Sequence, residues 1–385
     1  TAMDEFIWHL INEKSYQSII ERKILLMSDE EEATPIIEKK LLKASELYSS
    51  TVLNILSEFY FKQQKYNLSI QTKKDWTSKG NKDFSSWIKF ANDLRNEGQY
   101  QHAIDAYYFV LSYKLNPKLT ERALLGLGQT FDDQITSPKN LYLIPYFYDN
   151  NIFFKNPFQE YSSISTKYLE SSLNLYDSLL VSLKKSSFLS EAYFRLGEIH
   201  YKILQDFDKA YYLLNKSMNY KTDKKTMLKI INRTADVLLA MGQTEEAMKF
   251  LQKELVADPL IGLNEKIILI EFLTNTPDSI LYNIELSLEQ RGPSDPLFND
   301  LMELKNIIVK YCSNPIDSLA FKHFQKSELL IRQKKLGNSV KELEYLVNHF
   351  SEANMLPLAH LRLAIVNFQL ADYDAALHYA LLLEN

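Results

Sequence analysis

Along most of this chain, apolar residues recur at i, i+3, i+4 and i+7, the spacing of one face of an α-helix. Trp87-Ile88-x-Phe90-Ala91-x-x-Leu94 is one such run, and Ala103-Ile104-x-Ala106-Tyr107-x-x-Val110 is the next. Polar turns a few residues long separate the runs, so the pattern predicts helices folded back on one another as hairpins. The hairpins themselves recur, and a repeating pair of amphipathic helices predicts a solenoid, in which each hairpin buries its apolar face against its neighbours.

Four segments align well: Trp87–Pro117, Glu191–Met218, Ile231–Pro259 and His360–Leu383. In three of them two alanines stand twelve apart, Ala91/Ala103, Ala235/Ala247 and Ala364/Ala376. Gly197/Ala210 are thirteen apart, which predicts one extra residue in that turn. Small residues belong where the two helices of a hairpin cross, because a larger side chain would hold the backbones apart. Pro259 follows Ala247 by twelve and Pro117 follows Ala103 by fourteen, each ending a second helix.

This spacing resembles the tetratricopeptide (TPR) repeat, a 34-residue helical hairpin. The resemblance implies an all-α fold, a right-handed superhelix of about eight or nine hairpins running through residues 1–385 as a single array. Weaker copies fill the gaps. Leu53–Lys74 carries Ser57 and Ser69 at the small positions, Ala123–Phe131 reads as a first helix, and Leu329–Phe350 keeps the amphipathic pattern with a turn at Gly337-Asn338. Glu5–Met27 reads as one further hairpin, and Leu263–Gln290 has the helical period and almost none of the signature. Three places break the period: 28–48, with an added helix from Thr34-Pro35; 132–165, an insertion within the fourth unit; and 295–312, another added helix. No polar capping helix precedes Asn385, so either a cap or further repeats are expected beyond it, or something else covers that end.

Composition narrows the chemistry. Nine glycines in 385 residues, where average usage is about 7 %, leave little for Gly-rich phosphate loops. The lone Cys312 excludes an internal disulfide and a cysteine-built metal site. A net charge of −5 with no basic block argues against nucleic acid. No apolar run reaches the ~18 residues of a membrane span, and the start at Thr1-Ala2-Met3-Asp4 lacks the features of a signal peptide. The seven histidines are scattered, and neither a metalloprotease, a nucleophile-elbow nor a P-loop motif occurs. The expectation is a protein without catalytic residues, metal or cofactor.

Two features point to partner binding. From Leu141 to Tyr161 eight residues are aromatic, Tyr142, Tyr146, Phe147, Tyr148, Phe153, Phe154, Phe158 and Tyr161, in an insertion long enough to suggest function. It reads either as a protruding arm that anchors a partner or fills the groove, with Tyr146, Phe147, Tyr148, Phe153, Phe154 and Phe158 as contacts, or as a local plug. A dip into a membrane interface is a third reading, weakened by the scarcity of basic residues there. Second, a basic residue recurs at one register of the first helices: Lys89, Arg195, Arg233 and Arg362. In the geometry the resemblance implies, these face the concave groove as a ladder for an acidic or extended peptide. Alternatively Arg195–Glu198, Arg233–Asp236 and Lys89–Asp93 satisfy one another along their own helices.

The resemblance thus implies a scaffold that holds peptides or helices of other proteins. The wording around Ala192–Tyr201 and His349–Ala364 is similar to bacterial TPR proteins of the cell envelope, of the periplasmic Tol-Pal-associated and outer-membrane assembly types. That points to a periplasmic or outer-membrane-associated scaffold. The alternatives are a cytoplasmic interaction module and the TPR region of a larger enzyme or regulator.

Overall fold

A computed structural model describes residues 2–138, 150–158, 161–182, 188–258, 263–312 and 314–383. It divides into two compact units, Thr1–Gln134 and Ile135–Asn385. The N-terminal unit holds α1 (Ala2–Asn12), α2 (Gln17–Met27), α3 (Thr34–Leu47), α4 (Ser49–Lys62), α5 (Tyr66–Ser78), α6 (Phe84–Asn96) and α7 (Tyr100–Leu111). It ends within α8 (Pro117–Ile135). The C-terminal unit holds α9 (Thr166–Ser182), α10 (Phe188–Ile199), α11 (Phe207–Met218), α12 (Lys224–Ala240), α13 (Thr244–Ala257), α14 (Asn264–Thr274) and α15 (Pro277–Glu289). After these come α16 (Phe298–Tyr311), α17 (Pro315–Arg332), α18 (Leu336–His349), α19 (Leu356–Gln369) and α20 (Tyr373–Leu381). Both units are all-α stacks of TPR-like hairpins. The added helices at α3 and α16 lie where the period breaks.

The turns explain how so few glycines suffice. Six hairpins place one residue in the left-handed region, Gln64, Gly98, Gln205, Gly242, Lys334 and Ala371, each five before the small residue of its second helix. The next backbone N–H then reaches back to close the first helix, as in Lys65 to Tyr60 (2.9 Å), Gln99 to Leu94 (2.8 Å) and Lys335 to Leu330 (2.9 Å). Only two of the six are glycine. The other four accept a strain of about 1 kcal/mol or more because the packing of both helices fixes the turn. Gly337, read from the sequence as a turn residue, instead lies inside α18. Ser339 meets Ser327 across the crossing (Oγ to Oγ 2.7 Å), and that register puts the left-handed residue at Lys334.

The small pairs sit at the crossings. Ser57 donates to the carbonyl of Ser69 at 2.8 Å and Ser69 to that of Ser57 at 2.7 Å, so both buried hydroxyls are satisfied. A Cβ on Gly197 would come within 2.9 Å of Leu214. The thirteen-residue spacing there has a different origin from the one expected. The extra residue is absorbed inside the first helix as a π-helical turn, His200–Leu204, and the loop keeps its usual length.

The insertion is closed at its base by a two-stranded antiparallel ribbon, β1 (Thr136–Pro138) and β2 (Tyr161–Ile164), which pairs Thr136 with Ile164 and Ser137 with Ser163. The helical pattern carried no sign of it. The N-terminal core gathers Ile24, Ile37, Val52 and Phe59; the larger C-terminal core runs from Ile231 to Leu363 and includes Phe153 and Phe154 of the insertion.

Candidate functional site

In the N-terminal unit, α2, α4 and α6 leave a pocket of about 420 Å³ along their shared face. Leu25, Leu26 and Phe90 give it apolar surface, and Glu21, Arg22, Glu58, Lys89 and Asp93 give it charge of both signs. Lys89 is exposed on this wall. Next to it, Lys73 of α5 is fully buried: its Nζ donates to Asn54 (3.1 Å) and Ser86 (3.3 Å), with Glu58 at 3.5 Å. The Nζ also lies 5.5, 5.9 and 5.0 Å from the ring centres of Trp76, Trp87 and Phe90. Burial pulls the Lys73 pKa down. Burial likewise raises Glu21 and Asp93, and the charge of Glu58 pushes both further up. A half-desolvated wall of titratable groups around an unfilled pocket is what a binding surface presents.

The corresponding face of the C-terminal unit is filled by the chain itself. Residues 151–158, Asn-Ile-Phe-Phe-Lys-Asn-Pro-Phe, lie across it. Asn151 accepts from the N–H of Phe153 (2.9 Å) and Asn156 from that of Phe158 (2.9 Å), two side-chain turns that set the path of the segment. Asn151 also donates to Glu303 at 2.9 Å. The Phe154 ring meets Phe272 at 5.2 Å and Phe324 at 6.4 Å, and Phe158 stands 5.3 Å from Tyr201. Arg332 donates to the carbonyl of Phe153 (2.6 Å) and Arg362 to that of Phe154 (2.8 Å). Both guanidiniums share Glu328, which is fully buried: Arg362 grips it at 2.6 and 2.7 Å, and Arg332 stands at 3.6 Å.

These positions redraw the sequence-based candidates. Phe153, Phe154 and Phe158 are buried in this unit's own core, so the described part of the insertion is no protruding arm; apolar surface on α11, α14 and α17 takes the Phe154 and Phe158 rings out of water. Tyr146, Phe147 and Tyr148 lie outside the described residues. Of the ladder, Lys89 faces the open pocket, but the other three are engaged within the chain. Arg195 pairs with Glu191 at 2.8 Å, not with Glu198. Glu198 is taken by Arg233 and by Lys202 (2.6 Å). Arg233 also pairs with Asp236 (3.0 Å), which binds Lys266 at 2.6 Å. Arg362 is 2 % exposed and belongs to Glu328. Reading along single helices missed the long pairs; Arg233–Glu198 and Arg362–Glu328 are 35 and 34 residues apart, one repeat length. Comparing charges one period apart would have found them. Arg332, Glu328 and Lys73 carried no local signal.

The network sets a pH response. Burial works to raise Glu198 and Asp236, but Arg233 with Lys202 and Lys266 outweighs it and holds both carboxyls below their usual range. A carboxyl with a lowered folded pKa stabilises above its unfolded value, about 4, and that contribution vanishes as pH falls through the folded value. The C-terminal unit is therefore expected to weaken on acidification below about pH 4. Glu21 and Asp93 carry raised values, so their penalty on the N-terminal unit is lifted earlier, as pH falls through those values, and is gone below about pH 4, where the unfolded carboxyls are also protonated. Urea midpoints at stepped pH check both signs: ellipticity follows the whole chain, and emission follows Trp8, Trp76 and Trp87, all in the N-terminal unit.

Among the described residues no group of three His, Cys, Asp or Glu is placed to hold a metal, and no helix is long and apolar enough to cross a membrane. Burial pushes the Cys312 thiol up to about 12. No protein-family profile matches the sequence, and no curated protein matches it. Among solved structures the chain is similar to Naa15/Naa10 bound to HypK-THB, at 11 % identity and a TM-score of 0.40, covering 98 % of this chain and 63 % of that one. It is also similar to the TPR domain of p58(IPK), at 10 % identity and a TM-score of 0.23 over 98 % of this chain and 91 % of that one. Yeast Tom70 is a third, at 14 % identity and a TM-score of 0.21 over 95 % and 91 %. At such identities none of them lends this chain a partner.

Proposed function

We propose that this protein is a non-catalytic scaffold that binds segments of other proteins, and that the pocket of α2, α4 and α6 is where it does so. One contrast carries the reading: this face of the N-terminal unit has about 420 Å³ of unfilled space, whereas in the C-terminal unit residues 151–158 already occupy the corresponding face. The mixed charges suit an extended or helical peptide with groups of both signs, its apolar side chains against Leu25, Leu26 and Phe90.

Peptides selected by display against the chain test it. Reversing Lys89 to Glu is expected to weaken the selected peptides about tenfold, or ~1.4 kcal/mol, while Arg195→Glu, outside the pocket, leaves them unchanged. Equal affinity for wild type and Lys89→Glu overturns the assignment. The periplasmic or outer-membrane-associated location is proposed on the wording of the repeats alone. Fractionation of cells expressing the full reading frame, with the chain found only in cytosol, removes it.

A further inference from the structure

The hairpin of α14 and α15 is not one of the six regular ones. Between α14 and α15, twelve residues apart and both half-buried, stand Glu271 and Asn283. Asn283 donates to Glu271 at 2.9 Å. The turn between these helices lacks the left-handed residue of the six regular hairpins. The two side chains line a pocket of about 210 Å³, room for one side-chain-sized group, since a water takes about 30 Å³ of liquid.

We propose that this pocket receives a single aliphatic cation, a guanidinium or ammonium head on a short hydrocarbon stem. Ile267, Ile268 and Leu286 line it for the stem. For the head it offers acceptors: the Glu271 carboxylate, the Ser287 hydroxyl, and the side-chain carbonyls of Asn264, Asn283 and Gln290. Ser287 is 5 % exposed and its Oγ makes no hydrogen bond, an unsatisfied buried group on the pocket wall. Among the described residues no basic one lines the pocket. The nearby bases are spent elsewhere: Lys266 on Asp236 (2.6 Å), Arg291 on Glu265, and Lys305 on Glu285 (2.9 Å). Burial raises the Glu271 pKa, opposed only by the Asn283 hydrogen bond, so a bound cation supplies the countercharge the carboxylate lacks. The site lies in a different unit from the docking pocket and does not depend on it.

The test uses the whole chain with labelled isoleucine methyl groups. n-Butylguanidinium and n-butylammonium are expected to shift Ile267 and Ile268 saturably, and n-butanol, the same stem without charge, is not. Glu271→Gln is expected to weaken the cations at least tenfold. Gln290→Lys, at an exposed position that does not threaten folding, is expected to block them by placing the chain's own ammonium beside Glu271. The double variant Glu271→Ala/Asn283→Ala removes two of the head-group acceptors and is expected to abolish the cation shifts. Cation and butanol shifting alike, or saturation unchanged in Gln290→Lys, overturns the proposal. Acetyl-Ala-Arg-Ala-amide distinguishes the sources: tighter binding than n-butylguanidinium assigns the cation to a partner chain, and weaker binding assigns it to a free amine. Either ranking retains the site.

Discussion

Glu328→Ala is expected to remove about 3–5 kcal/mol from the C-terminal unit, enough to lower its thermal midpoint by many degrees. Glu328 is fully buried, and two guanidiniums depend on it, Arg362 at 2.6 and 2.7 Å and Arg332 at 3.6 Å. With the carboxylate gone, two like charges face each other in a medium that screens them poorly. Burial already works against charge on Arg332, and Arg362 adds to the penalty while Glu328 offsets it. The damage spreads to the insertion, because these two arginines hold the carbonyls of Phe153 and Phe154. Ellipticity is the reporter, since all three tryptophans lie in the other unit. An unchanged midpoint would falsify the view that this triad locks the interior.

Phe154→Ala is expected to cost about 3–5 kcal/mol as well, by a different route. Its ring is fully buried among Phe272 and Phe324, so truncation leaves a cavity that two helices cannot collapse to fill. Lys155→Ala, one residue on and exposed, is expected to stay within about 0.5 kcal/mol of wild type. The pair separates two roles for the segment. A structural filler loses stability at Phe154 and nothing at Lys155. A partner-binding arm keeps its melting curve in both variants and loses capture in Phe154→Ala, and that outcome would restore the arm reading for residues 151–158.

The repeat was legible because its constraint is local and recurrent. A helix crossing demands a small residue wherever it occurs, so Ala91/Ala103 and Ala235/Ala247 announce themselves at a fixed spacing. The added helix from Thr34 was legible for a similar reason, with a proline at its first turn and a broken period before it. The same rule marked the hairpin of α14 and α15 only as a poor match; that Glu271 and Asn283 line one pocket is visible only with the two helices side by side.

The sites were less legible because burial and pairing are not local. Arg195, Arg233 and Arg362 share a register with Lys89, and nothing in the register tells an exposed base from one committed to a carboxylate a repeat away. By itself, then, the sequence determined the element type, the hairpin period and the crossings, since these follow from spacing within about forty residues. Only the tertiary structure decided which inner face stays open. Residues 151–158 reach helices up to two hundred positions further on, as Arg362 does to Phe154 across 208 residues. An apolar segment is drawn to whichever buried surface the folded chain offers, and that surface does not exist until the helices are stacked.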